Sequence, residues 1–452
     1  MPPPLHPALA AIREAGAAKV KVACSDIDGV LRGKYLHRDK FEGAAESGFG
    51  FCDVVFGWDC GDVTYDNAQV TGWQHGFPDA LARLDLDTHR QVPWDGNVDF
   101  FLGEFVNPDG TPYPVCPRQT LKRVLKRAER LGFQVMAGME YEWFNFRETS
   151  HSWAAKQGVA PEPITPGMFG YSLLRVNQHR EFFNALMDEM AAFRVPIEGL
   201  HTETGPGVYE AAIAFSEALE QADRAILFKT GAKEIGMRFG IMPSFMAKWS
   251  AQYPGCSGHI HQSLSDGKAN LFHDASSSRK MSALFESYVA GQVACLLELA
   301  PMFWPTINSY KRLVDGFWAP VKPTWGIDNR TASFRVLAGS PKSTRLETRC
   351  PGADVNPYLA MAAVIAAGLH GVEQNLKLTT PPVTGTNQGA ENVPRAPRTL
   401  AETTRIFSES RIARDWLGDT FVDHFAATRD WEWRQWLDGV TDWELKRYFE
   451  II

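Results

Sequence analysis

Glu140 and Glu142 stand two apart in the run FQVMAGMEYEWFNF, 133–146. Side chains at i and i+2 of a strand share one face. Two carboxylates held that way repel each other unless a cation lies between them or one is protonated. Glu203 and Glu210 repeat the theme across a Gly-Pro-Gly turn. His259 and His261 form a same-face imidazole pair in GCSGHIHQSL, and Glu347 adds a further carboxylate. Carboxylates with an imidazole suit Mg²⁺ or Mn²⁺; a soft thiolate site is not suggested. A solvated strand face or a salt bridge accounts for any one pair, but poorly for four such features in one chain.

The cationic half of the chemistry lies in residues 309–358. Lys311, Arg312, Lys322, Arg330, Arg335, Lys342, Arg345 and Arg349 crowd this segment of a chain whose formal net charge is −7. Such a cluster in an acidic protein fits a highly anionic substrate. Phosphoryl transfer needs metal ions on phosphate oxygens and positive groups against the charge that develops. Arginine serves well because its planar fork meets carboxylate or phosphate oxygens bidentately. No GxxxxGK[ST] loop and no kinase motif set occurs, so another scaffold must hold any nucleotide. Some of the eight cations are expected in salt bridges at the surface or between subunits.

These groups need a scaffold. Residues 19–37 read as a strand, an Asp-Gly turn and a second strand, followed by a short helix over 39–49. From Cys52 to Val106, short apolar runs broken by Gly, Asp and Pro give a small mixed β domain. The turn formers of 107–117 mark a boundary, dividing the chain into 1–115 and 116–452. Beyond it, 119–131 is helical with a stop at Gly132, and 133–146 is a strand pair or one long strand. A helix over 179–193 and strands near 196–200 and 207–215 follow. Then come a helix over 216–235 capped by Ser216, strands over 239–247 and 258–264, and helices over 281–299 and 356–370, the last with Gly368 near its end. Residues 378–397 read as a surface loop, and 404–450 as amphipathic helix in patches. The pattern is α+β: a small N-terminal domain and a large catalytic domain with an antiparallel sheet flanked by helices.

Length and composition bound the function. A chain of 452 residues, 44% hydrophobic and 22% charged, buries a substantial core. No apolar run is long enough to cross a membrane, and the N-terminus lacks the order of a signal peptide. Seven scattered cysteines give neither a disulfide framework nor a zinc motif. A reducing cytoplasm is the expected setting. The mild acidity argues against nucleic acid as a partner.

The motifs MEYEWF, ETGPGVYEAAIAF, GHIHQSL, NSYKRLV, APVKPTWGIDNRTASFRV and RLETRCPGADVNPYL resemble those of the glutamine synthetase family. More closely, the chain is similar to the subgroup that joins glutamate to larger amines, including polyamines. The resemblance runs over nearly the whole chain and is strongest from Met139 to Pro357. It implies a β-grasp-like N-terminal domain and the glutamine synthetase fold. It implies two to three Mg²⁺ or Mn²⁺ ions per site, with ATP, glutamate and a small organic amine as substrates. On this resemblance Glu142, Glu203 and Glu210 hold one metal, and Glu140, His259 and Glu347 a second. Glu142, Gly255, Arg312 and Arg349 contact glutamate. His261, Ser263, Arg335, Lys342 and Arg345 lie on ATP, while Arg330 and Arg335 act catalytically on the transferred phosphoryl group. The implied reaction makes γ-glutamyl phosphate, which an amine converts to an amide. A ring-forming homo-oligomer, a dodecamer, is implied as well.

Two departures concern the amine. Ammonia-using members carry a lid glutamate six residues beyond the arginine matched by Arg312; here that position is Trp318. The family's Asp-Gly-Ser-Ser motif is replaced by GWDCGD, 57–62, leaving Asp59 as the acid expected to act in the amine pocket with Trp318. Pro254 also stands where an asparagine usually meets glutamate. The expected reaction is ligation of glutamate to a polyamine, ethanolamine or an alkylamine, with Asp59, Asp62 and Asp315 available for a polyamine's extra charge. Glutamine synthesis and a noncatalytic regulatory relative are the alternatives.

Overall fold

The computed structural model describes residues 5–386 and 390–452. The first four residues of the N-terminal stretch and 387–389 of the 378–397 loop lie outside the described residues. The expected hairpin forms from β1 (Lys19–Ser25) and β2 (Leu31–His37). Its turn is locked by Asp26, whose Oδ1 accepts from the Asp28 and Val30 amides at 3.0 and 2.8 Å. Gly29 takes φ +80° there, a conformation only glycine adopts without strain. With β3 (Phe49–Cys52), β4 (Asp79–Leu84), β5 (Arg90–Val92) and β6 (Val98–Val106) the hairpin builds a six-stranded sheet of order β2-β1-β6-β4-β3, with β5 on β6. The β1–β6 pair is parallel and the rest antiparallel. The helix Arg38–Ser47 buries Phe41 against Phe101 of this sheet.

The second sheet has eight strands: β7 (Gln134–Phe146), β8 (Ile197–Thr202), β9 (Val208–Glu217), β10 (Met242–Ser244), β11 (Gly258–Ser265), β12 (Trp325–Ile327), β13 (Phe334–Leu337) and β14 (Arg345–Thr348). Their order is β12-β13-β14-β11-β7-β9-β8, with β10 on β7. The sheet is not antiparallel throughout: β12 runs parallel to β13. Residues 133–146 form one strand, which is the spine of the sheet. The strand expected over 239–247 shrinks to β10, because β7 ends at Phe146 and offers no partner beyond Met242. Ser216 is not a helix cap. It stays in β9, paired with Ala137, and the helix starts only at Ala218.

Helices Pro117–Arg130, Ala218–Met237 and Pro357–Glu373 pack into one large core with the outer face of this sheet. Gly368 does not end its helix, which continues to Glu373. A Cβ at Gly368 would lie 2.1 Å from the Tyr288 ring, so the glycine admits the neighbouring helix Ala283–Cys295. Among the described residues, no helix is long and apolar enough to cross a membrane.

Candidate active site

Strand register gathers the expected residues. Glu142 faces Glu210 across β7–β9, and Glu210 faces His201 across β9–β8. Glu140 faces His259 across β7–β11, and His261 faces Glu347 across β11–β14. Arg335 faces Glu347 in turn on β13. Directly paired side chains stand roughly 5 Å apart. Alternation puts the whole row on one face, while Met139, Tyr141 and Trp143 point into the core. Glu203 follows the end of β8 and is held by the Thr204 amide and hydroxyl, which donate to its Oε1 at 2.9 and 2.8 Å.

The row walls a cavity of about 590 Å³ that also takes in Gly255, Ser257, Phe317, Trp318, Tyr171 and Arg330. A second cavity of about 290 Å³ shares Glu140, His261 and Arg345 with it and adds Ser263 and Lys342. The residues expected on ATP therefore lie together beside the carboxylates.

The charges are unbalanced in a way that suits cations. Burial, then Glu142, Glu140 and Glu203, push the Glu210 carboxyl up to about 9. At Glu140 and Glu347, burial opposes ionisation but is overridden. His261, Arg349 and Arg345 bring Glu140 down to about 2, and Arg349, His259 and His261 do the same for Glu347. A divalent cation among Glu142, Glu203 and Glu210 would offset both the burial and the repulsion that raise Glu210. His201 was not expected here. It stands 3.8 Å from both Glu203 and Glu210, and its place two residues before Glu203 in a strand is the signal that was available.

Among the described residues, Glu140, His261 and Glu347 form the tightest group on the other side, with ligand atoms within 4.8 Å of one another. The expected set had His259 in place of His261. Hydrogen bonding separates the two histidines. Arg345 Nε donates to His261 Nδ1 at 3.0 Å, which leaves the His261 proton on Nε2, 3.1 Å from Glu140 but without a well-formed hydrogen bond. A protonated nitrogen does not bind a metal. Burial and then Arg349 hold His259 well below the ordinary imidazole range, and its buried Nδ1 has no partner. His259 is thus neutral, with a lone pair to give. The donor set of carboxylates and one neutral imidazole fits a hard divalent ion.

Two expected residues fall outside the cavity wall. Arg312 is buried behind the 254–257 loop, donating to Cys350 O at 2.9 Å and Ser257 Oγ at 2.6 Å. It props that loop, and a Cβ at Gly255 would meet the Ala247 carbonyl oxygen at 2.3 Å and Arg312 Cγ at 2.8 Å. Asp59 is farther off: its carboxylate caps the Gly61 and Val63 amides and accepts from Trp431 Nε1 at 3.1 Å. Within one chain, therefore, Asp59 is no part of the pocket that Trp318 lines. Arg335 spends its donors on Glu347 and Asp328, at 2.8 and 2.6 Å. Arg330 lines the cavity with no partner for its guanidinium among the described residues. Tyr171, which no pattern in TPGMFGYS singles out, stacks on His201 at 4.3 Å.

Residues 114–448 match the model of the glutamine synthetase catalytic domain. The chain is 54% identical over 439 residues to type-1 glutamine synthetase 2 of Dictyostelium discoideum, covering 96% of this chain and 84% of that one. It is 35% identical to a glutamate–isopropylamine ligase of a Pseudomonas species, over 96% and 95% of the two chains. A solved GmaS/ADP complex superposes with a TM-score of 0.86 at 25% identity, over 99% of this chain and 100% of that one. With the fold, the two-sided carboxylate row and these matches in agreement, the chain belongs to the glutamine synthetase family of ligases.

Proposed function

We propose that the protein ligates the γ-carboxylate of glutamate to an organic amine at the expense of ATP. A carboxylate is a poor acyl donor because its leaving group would be oxide. In the first step a γ-carboxylate oxygen attacks the terminal phosphorus of ATP, and ADP leaves. In the second the amine nitrogen attacks the γ-carbon, phosphate leaves, and the nitrogen gives up a proton. Nucleotide is assigned to the cavity of Ser263, Lys342 and Arg345, and glutamate to the side of Gly255 and Arg349. Arg330, with an unengaged guanidinium, is assigned to the transferred phosphoryl group. Glu142, Glu203 and Glu210 would hold one divalent ion, and Glu140, His259 and Glu347 another. Such ions supply positive charge against phosphate oxygens. We also propose self-association into a ring, with a neighbouring copy closing the cavity.

The observation that carries the choice of amine over ammonia is Trp318. It lines the cavity and, on the resemblance, stands where ammonia-using members carry the lid glutamate; an indole cannot accept a proton from an incoming ammonium. Incubation with ATP, glutamate and isopropylamine is expected to yield γ-glutamylisopropylamide in step with ADP. ADP release without amide contradicts the reading. The 54% identity to a protein named a glutamine synthetase favours a second reading, glutamate–ammonia ligation.

A further inference from the structure

Resting on the ligase reading just given, we propose that residues 383–386 and 390–396 form a strap that positions the lid of the cavity, and that Arg395 is its positioning residue, holding the lid so that the amine rather than water reaches the acyl phosphate. The lid is the segment between Arg312 and Lys322, with Phe317 and Trp318 in the cavity wall. Its two stems meet on adjacent strap residues. On the first stem, Arg395 donates to Leu313 O at 2.8 Å and pairs with Asp315. On the second, the Ala396 amide donates to Val321 O at 2.8 Å, and Lys322 Nζ donates to Ala390 O at 2.7 Å. Between these pins the chain turns on Gly316 at φ +85° and Trp318 at φ +60°. Left-handed backbone is costly at a residue as bulky as tryptophan, so contacts outside the turn must hold it. Lys248 Nζ, 4.4 Å from the Phe317 centroid, braces the turn as well.

The same strap reaches the loop of Arg330. Asn329 Nδ2 donates to Val383 O and Gly385 O at 3.2 and 3.1 Å, and Thr331 Oγ1 donates to Gly385 O at 3.1 Å. The Val383 amide donates to Trp325 O at 2.8 Å, at the start of β12. Ala332, Val383 and Ala390 bury their side chains together in a small apolar cluster separate from the main core. The residues on either side of Arg330 are thus fixed to the strap, as are both stems of the lid. All these contacts lie within a single chain, so a neighbouring copy that closes the cavity adds to them. A stretch that reads in sequence as a surface loop therefore carries two working parts of the site.

The consequence is chemical. An acyl phosphate is open to water as well as to an amine. In hydrolysis the water oxygen bonds to the γ-carbon, and the bond from that carbon to the phosphate oxygen breaks. Phosphate leaves, a proton passes to solvent, and glutamate is regenerated. A well-placed lid excludes that water.

The test is the ratio of ADP to γ-glutamyl product with saturating ATP, glutamate, Mg²⁺ and isopropylamine, repeated with ammonia. The intact protein is expected to form the two in step. Arg395→Ala is expected to raise the ratio about two- to fivefold, the range that one exposed ion pair and one carbonyl bond supply. Arg395→Lys keeps the charge but not the fork that meets both acceptors, and is expected to fall between. Asp315→Asn, which removes the ion pair alone, is expected to raise the ratio less than Arg395→Ala. Arg398→Ala is the control, because the bond from Arg398 to Glu402 is made by its backbone amide; its ratio is expected to match the intact protein. A variant that merely folds less well lowers ADP and product together and leaves the ratio as it was. An unchanged ratio in the Arg395 and Asp315 variants overturns the inference and leaves ligation standing. Absence of γ-glutamyl product from the intact protein with either nucleophile overturns the ligase reading beneath it.

Discussion

At the scale of single residues, the site is a problem of crowded negative charge solved by position. Four carboxylates and three imidazoles line one strand face, and burial with the neighbouring carboxylates pushes Glu210 up to about 9. Glu142→Ala and Glu347→Ala are each expected to lower amine-dependent ADP release by about two orders of magnitude or more. Thermal melts give an independent check. Mg²⁺ at about 100 times its Kd is expected to stabilise the protein by about 2.7 kcal/mol per site relative to chelated protein. Glu210→Gln should lose much of that gain, and an unchanged Mg²⁺ shift would contradict its place as a ligand. The carboxylate pairs were legible because i, i+2 spacing maps onto a strand face. The different roles expected of His259 and His261 came from the resemblance alone, since both share one strand face; the bond from Arg345 to His261, 84 residues away, leaves no mark in the local sequence.

Among the secondary-structure elements, the sheet's register does the gathering, and the helices behind it hold the register. The helices Ala283–Cys295 and Pro357–Glu373 touch through glycines: a Cβ on Gly291 would stand 2.2 Å from Ala367 O, and one on Gly371 2.1 Å from Ser287 O. Gly368→Ala, which would drive a methyl into Tyr288, is expected to cost about 1–3 kcal/mol of stability, seen as a lower unfolding midpoint. An unchanged midpoint would contradict the close approach. Long periodic elements such as Pro117–Arg130 and Gln134–Phe146 could be read from sequence. A glycine that serves packing cannot be told locally from one that stops a helix, and Gly368 shows it. Ser216 shows the converse: cap chemistry was present, but strand pairing to Ala137 prevailed.

Across the whole molecule, loops of the first sheet are docked on the helix Asp419–Asp438. Asp28 pairs with Arg429, Asp66 with Arg434, and Asp59 with Trp431. That docking explains why Asp59, a sensible active-site acid from its sequence context, is spent on structure within its own chain. His424 lies on the same helix, buried, with no well-formed hydrogen bond at either ring nitrogen. Burial depresses it to about 4, opposed by a backbone contact with Phe56 and aided by Arg429. The unfolded chain therefore binds more protons between about pH 6.5 and 4, and stability rises with pH across that window. The contribution, on the order of 3 kcal/mol, is lost as pH falls from about 6.5 to 4. Urea melts of His424→Leu are expected to show a slope of stability against pH shallower by about one proton. An unaltered slope would contradict the assignment.

The claim that Trp318 turns this ligase from ammonia to organic amines is tested most directly by competition. With ATP and glutamate saturating and both nucleophiles present, the ratio of γ-glutamylisopropylamide to glutamine gives the ratio of their kcat/KM values. An amide-dominated product at equal amine and ammonia concentrations is the predicted result. Glutamine as the main product would contradict it.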